Sequence, residues 1–254
     1  MTSFVVKQKQ CPKCWELGKD TSHDNLATYS DGHSFCYGCG YLVWPGKIQS
    51  LLTKKEEKVQ ESNLLLPEDC TTNYSPKAID WIKQYEISEN DLLLHGVLWS
   101  ISTSRLIFPV FNVDSILLAW QGRYFGENEN TKKKPKWFGK GNLRDTFNVL
   151  GKGNHLVLCE DIVSAIKISK CNVMAMPLYG CHIGRERFKR LYLMFGGEVE
   201  VSVWLDPDKR KEAVQEANLG RLCGLDTTVI FADLDPKEIS FEEIKRKLNN
   251  DHTI

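Results

Sequence analysis

No stretch of this chain approaches the roughly 20 apolar residues that a membrane-spanning helix needs. Its longest apolar runs, such as Leu156-Val157-Leu158-Cys159, are strand-sized. The N-terminus, MTSFVVKQKQ, has no signal-peptide core. Net charge is missing too: 33 Lys and Arg balance 33 Asp and Glu. Bulk charge therefore argues neither for nor against a polyanionic partner. There is no internal repeat. The nine cysteines are an odd count, which in a chain without a secretory leader argues against a disulfide framework. These absences lead us to expect a cytoplasmic globular protein, and 254 residues allow one large or two smaller domains.

What is present is unevenly distributed. Residues 1–46 hold two tight cysteine pairs, aromatics and little helical periodicity, which reads as a small metal-held module. Residues 47–74 are rich in Lys, Glu, Gln and Ser, a linker composition with room for a transient helix. From Ser75 the pattern is that of a packed domain. SPKAIDWIKQY places Pro at the first helical position after a Ser cap, and a second short helix is expected over 88–95. LWSISTSRLIFPVFN and SILLAWQGRYF read as strands joined by a turn near Asn112–Asp114. A basic stretch follows: between Arg105 and Lys152 nine Lys and Arg face four acids, and 127–145 reads as a loop. From charge alone this is either a phosphate-binding surface or a solvated loop. Beyond Gly153, strand and helix patterns alternate to the C-terminus. That alternation predicts a mostly parallel sheet covered by helices, an α/β fold.

Cys11-x₂-Cys14 and Cys36-x₂-Cys39 can each place two thiolates on one ion from a tight turn. Four thiolates make a closed tetrahedral Zn²⁺ site, structural rather than catalytic. Iron in a rubredoxin-like site would use the same ligands. A module this small needs its metal to fold. Before the second pair lie Tyr29, Asp31, His33 and Phe35. Asp31 and His33 could hydrogen-bond base edges, and the aromatics could stack on unpaired bases. His33 is equally readable as a surface turn histidine.

Acidic residues recur just past strands. Glu160 follows HLVLC, Asp206 and Asp208 follow VEVSVWL, and Asp233 and Asp235 follow TTVIFA. Ligands of open α/β sheets bind at the carboxyl ends of the strands. Carboxylates gathered there repel unless a cation lies among them, and hard oxygen donors with phosphate chemistry imply Mg²⁺ or Mn²⁺. Asp161 reads instead as the N-cap of the following helix.

On these residues the chain resembles the primase half of podovirus-type bacteriophage primase–helicases and, more distantly, bacterial DNA primases. SDGHSFCYGCGY resembles their zinc-binding domain. Residues 75–152 resemble a basic α+β N-terminal subdomain, and 153–254 a TOPRIM-type domain, the metal-binding fold shared with topoisomerases. The resemblance implies a DNA-directed RNA polymerase that makes short primers on single-stranded template from ribonucleoside triphosphates. It implies two catalytic Mg²⁺ or Mn²⁺ ions, with Glu160, Asp206 and Asp208 catalytic and metal-binding and Asp235 as a further metal ligand. One structural Zn²⁺ would sit on Cys11, Cys14, Cys36 and Cys39. Template and triphosphate contacts fall to Asp31, His33, Arg123, Lys134 and Lys136. If the chain is phage-encoded, it acts in the bacterial host cytoplasm. Two departures stand out: Asp161 where many members have Gly, and Ser164 where some have Asp. No GxxxxGK[ST] phosphate loop occurs, so a separate replicative helicase is the expected partner. The competing readings are a RecR-like zinc and TOPRIM mediator that binds DNA without polymerising, and a TOPRIM nuclease.

Overall fold

The computed structural model describes residues 4–16, 22–30, 32–39, 41–43, 64–127 and 134–250. The chain divides into two compact units, Met1–Asn63 and Leu64–Ile254.

In the first unit, β1 (Val5–Lys9), a short helix α1 (Pro12–Glu16), β2 (Leu26–Tyr29), β3 (Ser34–Cys36) and β4 (Leu42–Val43) form an antiparallel sheet in the order β1-β2-β3-β4. The connection into β3 turns tightly, with Gly32 at φ 86° donating its N–H to the Tyr29 carbonyl at 2.8 Å. That left-handed conformation costs glycine nothing. Among the described residues its apolar cluster is Cys11, Cys14, Leu26 and Cys36, with Tyr41 packed against it. So small a core cannot offset the entropy of ordering the chain unaided.

The second unit opens with β5 (Cys70–Thr71), α2 (Pro76–Lys83), α3 (Glu89–Leu94), β6 (Leu98–Ser100), β7 (Arg105–Phe111), β8 (Leu117–Tyr124) and β9 (Trp137–Gly141). These strands make a five-stranded antiparallel sheet, β5 through β9 in order. Two expectations are corrected here. Residues 64–74 belong to this unit rather than to a linker: β5 pairs with β6, and Asp69 accepts from Ser100 Oγ at 2.9 Å. The remainder of the expected linker, 47–63, lies outside the described residues. The loop expected over 127–145 contains β9, because Trp137 and Phe138 pair with Arg123 and Gly122 of β8 and their rings contact Phe108 and Trp120.

The chain continues through β10 (Leu150–Gly151), β11 (His155–Cys159), α4 (Ile162–Ser169), β12 (Met174–Pro177), α5 (Arg185–Phe195), β13 (Glu200–Trp204), α6 (Arg210–Leu222), β14 (Asp226–Val229) and α7 (Phe241–Asn250). The second sheet has the order β10-β12-β11-β13-β14, parallel except for the β10 edge. Alternation along its strands feeds two cores. Leu156, Leu158, Val201 and Val203 face one side with Phe188 and Leu191 of α5 and Ala213 and Ala217 of α6. Val157, Cys159, Ala175 and Trp204 face the other with α4 and α7. Residues 162 to 168 of α4 are all buried. Ile162, Val163 and Ile166 pack toward the antiparallel sheet while Ala165 and Ile168 pack toward the parallel one. This helix therefore ties the two sheets together, directly after β11.

Candidate functional site

The four cysteines meet. Their sulfurs all lie within 4.8 Å of one another, with Cys11 Sγ 3.6 Å from Cys39 Sγ and Cys14 Sγ 3.6 Å from Cys36 Sγ. Those separations are far beyond a disulfide and match the edge of a tetrahedron with metal–sulfur bonds of about 2.3 Å, about 3.8 Å. Burial pushes the Cys14 thiol up, an opposition to thiolate that a dication removes. The donor set fits Zn²⁺. Beside it, the His33 ring stacks on Tyr29 at 4.2 Å between centroids. Asp31 lies outside the described residues.

The parallel strands deliver their acids to one rim, but unequally. Asp161 caps α4, accepting from the backbone N–H groups of Val163 at 2.9 Å and Ser164 at 3.1 Å and from Ser164 Oγ at 2.8 Å. Ser164 is fully buried within this cap. Asp235 and Asp161 both pair with Lys237, at 2.6 and 3.1 Å. Asp208 stands 71 % exposed in the turn after Asp206 and pairs with Lys209. Asp233, 98 % exposed, pairs with Arg210. Glu160 and Asp206 differ from these. Each has a buried oxygen, Oε2 and Oδ1 respectively, without a hydrogen-bond partner among the described residues.

These two carboxylates line a cavity of about 190 Å³ with Trp81, Tyr85, Lys136, Trp137, Asp161 and Lys237. Burial, then the charges of Asp161 and Asp208, push the Glu160 carboxyl above its usual range. Burial, then Glu160 and Asp235, push Asp206 up to about 7. Desolvated, unsatisfied acids in a cleft are the signature of a site awaiting a cation. The residues thus fit a divalent ion on Glu160 and Asp206. Among the described residues, however, the cysteines are the one group of three or more candidate ligands within 4.8 Å of each other. Asp208 sits in the tight turn that Pro207 starts, exposed beside Lys209 yet near enough for its charge to raise the Glu160 carboxyl.

The basic candidates separate as well. Lys136 lines the carboxylate cavity. Lys134 lines a different cavity of about 470 Å³ on the opposite face of the antiparallel sheet, with Arg105, Trp120, Tyr124 and Phe138 and no acid. Arg123 is 6 % exposed, its guanidinium 5.3 Å from the Trp81 ring and 5.1 Å from Phe125. It braces the sheet core, so the expectation of a surface phosphate ligand is corrected: β8 alternation points Arg123 inward. Lys237, Trp81, Tyr85 and Trp137 were not singled out from sequence. No local pattern joins Lys237 to Asp161, 76 positions away.

Solved structures that superpose on this chain give its fold a family likeness. The primase fragment of the bacteriophage T7 primase-helicase protein aligns over 97 % of this chain and 99 % of its own, with TM-score 0.53 and 14 % identity. The chain has the fold of a DNA primase. The zinc-binding and RNA polymerase domains of the Aquifex aeolicus primase align over 98 % of this chain and 80 % of their own, with TM-score 0.51 and 17 % identity. The RNA polymerase domain of Mycobacterium tuberculosis primase DnaG aligns over 68 % of this chain and 74 % of its own, with TM-score 0.54 and 11 % identity. No family model and no curated protein matches the sequence. At such identities the primase likeness is one of fold, and the side chains must argue the chemistry. Among the described residues no helix is long and apolar enough to cross a membrane.

Proposed function

We propose that this chain is a DNA primase, a DNA-directed RNA polymerase that makes short primers from ribonucleoside triphosphates on single-stranded DNA during replication. The observation that carries the reading is the pair of buried, unpartnered oxygens of Glu160 and Asp206 at the strand ends of a primase-fold sheet. Glu160 and Asp206 would hold Mg²⁺ or Mn²⁺. Such an ion offsets charge on the phosphoryl oxygens and favours attack by a 3′-hydroxyl.

The chain's own residues supply the rest. Lys136, on the wall of the same cavity, places a positive charge where a triphosphate would lie. Asp235 and Asp161 fix Lys237 and keep a second positive charge at the rim. Trp81, Tyr85 and Trp137 exclude water from one side of the cavity, which strengthens every charge interaction within it. Most of the rate would then come from positioning and charge neutralisation.

In the first unit, Zn²⁺ on the four cysteines would hold a small sheet whose exposed Tyr37, Trp15 and Phe4 and stacked Tyr29–His33 pair suit contact with unpaired template bases. Asp31 and His33 remain candidates for reading template. Asp208, exposed beside Lys209, would act at the margin of the site. A separate replicative helicase would open the duplex, in the cytoplasm of a bacterial host.

The deciding experiment incubates the zinc-loaded chain with Mg²⁺, four ribonucleoside triphosphates and single-stranded templates. Short RNA products are expected. Glu160→Gln should abolish them with zinc content unchanged. DNA binding without incorporation would leave the mediator reading in place, and template cleavage without nucleotides would indicate a nuclease.

A further inference from the structure

Lys237 stands in the acidic rim as a resident cation. Its Nζ is 2.6 Å from Asp235 Oδ2 and 3.1 Å from Asp161 Oδ2, and it lines the cavity that Glu160 and Asp206 share. It is held there from behind. The Lys237 carbonyl accepts a hydrogen bond at 3.0 Å from Lys167 Nζ. Lys167, 2 % exposed, also donates to the Ile239 carbonyl and pairs with Glu86 at 3.0 Å. The segment following β14 is therefore anchored to α4, which fixes the backbone position from which the Lys237 side chain reaches the rim.

The rim acids divide accordingly. Asp161 and Asp235 share Lys237, and Asp208 pairs with Lys209. Glu160 and Asp206 alone among them have buried oxygens with no partner among the described residues. Resting on the primase reading above, we propose that Lys237 takes the place of one divalent cation, so that the chain's own carboxylates hold a single ion, on Glu160 and Asp206. One dication with the ammonium offsets most of the charge of Glu160, Asp161, Asp206 and Asp235. A second dication would have to displace the ammonium from both of its carboxylates, and like charges packed at this range repel strongly in a half-buried site. A triphosphate brings oxygens of its own, so any further ion would arrive with nucleotide.

The test is a Mn²⁺ titration of the full, zinc-loaded chain without nucleotide, read from the electron paramagnetic resonance signal of free Mn²⁺. The expected count is one ion per chain. Lys237→Ala frees Asp161 and Asp235 and should raise the count to two, while Lys237→Arg keeps the charge and the count of one. A thermal melt checks that each variant is folded. The wild-type count is decisive even if Lys237→Ala is not. Two ions on the wild type, or one on folded Lys237→Ala, overturns the proposal and leaves the Glu160–Asp206 site standing. No ion on the wild type overturns both the proposal and the metal site of the primase reading. Loss of the single ion in Glu160→Gln places it where proposed.

Discussion

In the first unit four thiol sulfurs stand within 4.8 Å of one another, whereas at the rim of the second unit no three acids among the described residues gather so tightly, and of these acids Glu160 and Asp206 keep unsatisfied buried oxygens. The difference is one of donor chemistry. A closed donor set leaves no room for a substrate and puts all of its binding energy into folding. An open, incompletely satisfied set leaves coordination positions and uncompensated charge for a reacting group. The second unit can tolerate this because its sheets are stabilised by large apolar clusters. Among the described residues, the apolar cluster of the first holds four buried side chains, three of them cysteines.

The largest effect that separates the regions should come from Cys36→Ser. Structural zinc contributes on the order of 10 kcal/mol to the folding of a small module. The variant should lose zinc and unfold the first unit, seen as loss of amide protection there, while the melting transition of the second unit stays in place. A shift of both transitions together would break the comparison. Next, Asp206→Asn should cut primer synthesis by about 10²- to 10³-fold, as loss of a charge-stabilising group does. Asp208→Ala should cost about tenfold or less, because its carboxylate is exposed and already paired. Equal losses in the two variants, read as initial rates at saturating nucleotide, would show that the open site extends to the surface. Arg123→Ala should destabilise the second unit by about 2–3 kcal/mol in a thermal melt, through lost packing on Trp81 and Phe125. It should leave nucleotide affinity of the folded fraction unchanged.

The smallest effect is one of pH. Because Asp206 titrates near 7, the metal-free folded chain binds a proton more tightly than the unfolded chain does. Its stability should therefore fall as pH rises from the usual carboxylate range through about 7, and level off above. A divalent ion must displace that proton, so Mn²⁺ affinity should weaken by up to about tenfold for each pH unit below 7. Calorimetric titrations at several pH values check this. An affinity flat between pH 5 and 8 would remove Asp206 from the ion site.

Periodicity and spacing carried much of this protein. The helix over 185–195 lies where its amphipathic pattern puts it, and the Cys-x₂-Cys pairs needed only each other to be read as one site. Glu160 was legible as the acid after the first parallel strand. Arg123 and Lys136 were not distinguishable from one another, because local sequence shows neither which way β8 turns Arg123 nor which cavity the segment before β9 lines. The strand β9 was hidden for a related reason: WFGKG is short and glycine-rich, and only pairing with β8 makes it a strand.

By itself, the sequence determined the four-cysteine cluster, the strand–helix alternation and the acids at the strand ends, because each rests on short spacings or on a simple repeat. Only the tertiary structure decided which acids share Lys237, which are exposed and which two remain unsatisfied. Those outcomes depend on contacts between segments up to 76 positions apart, and on burial, which strengthens charge interactions far beyond their value in water.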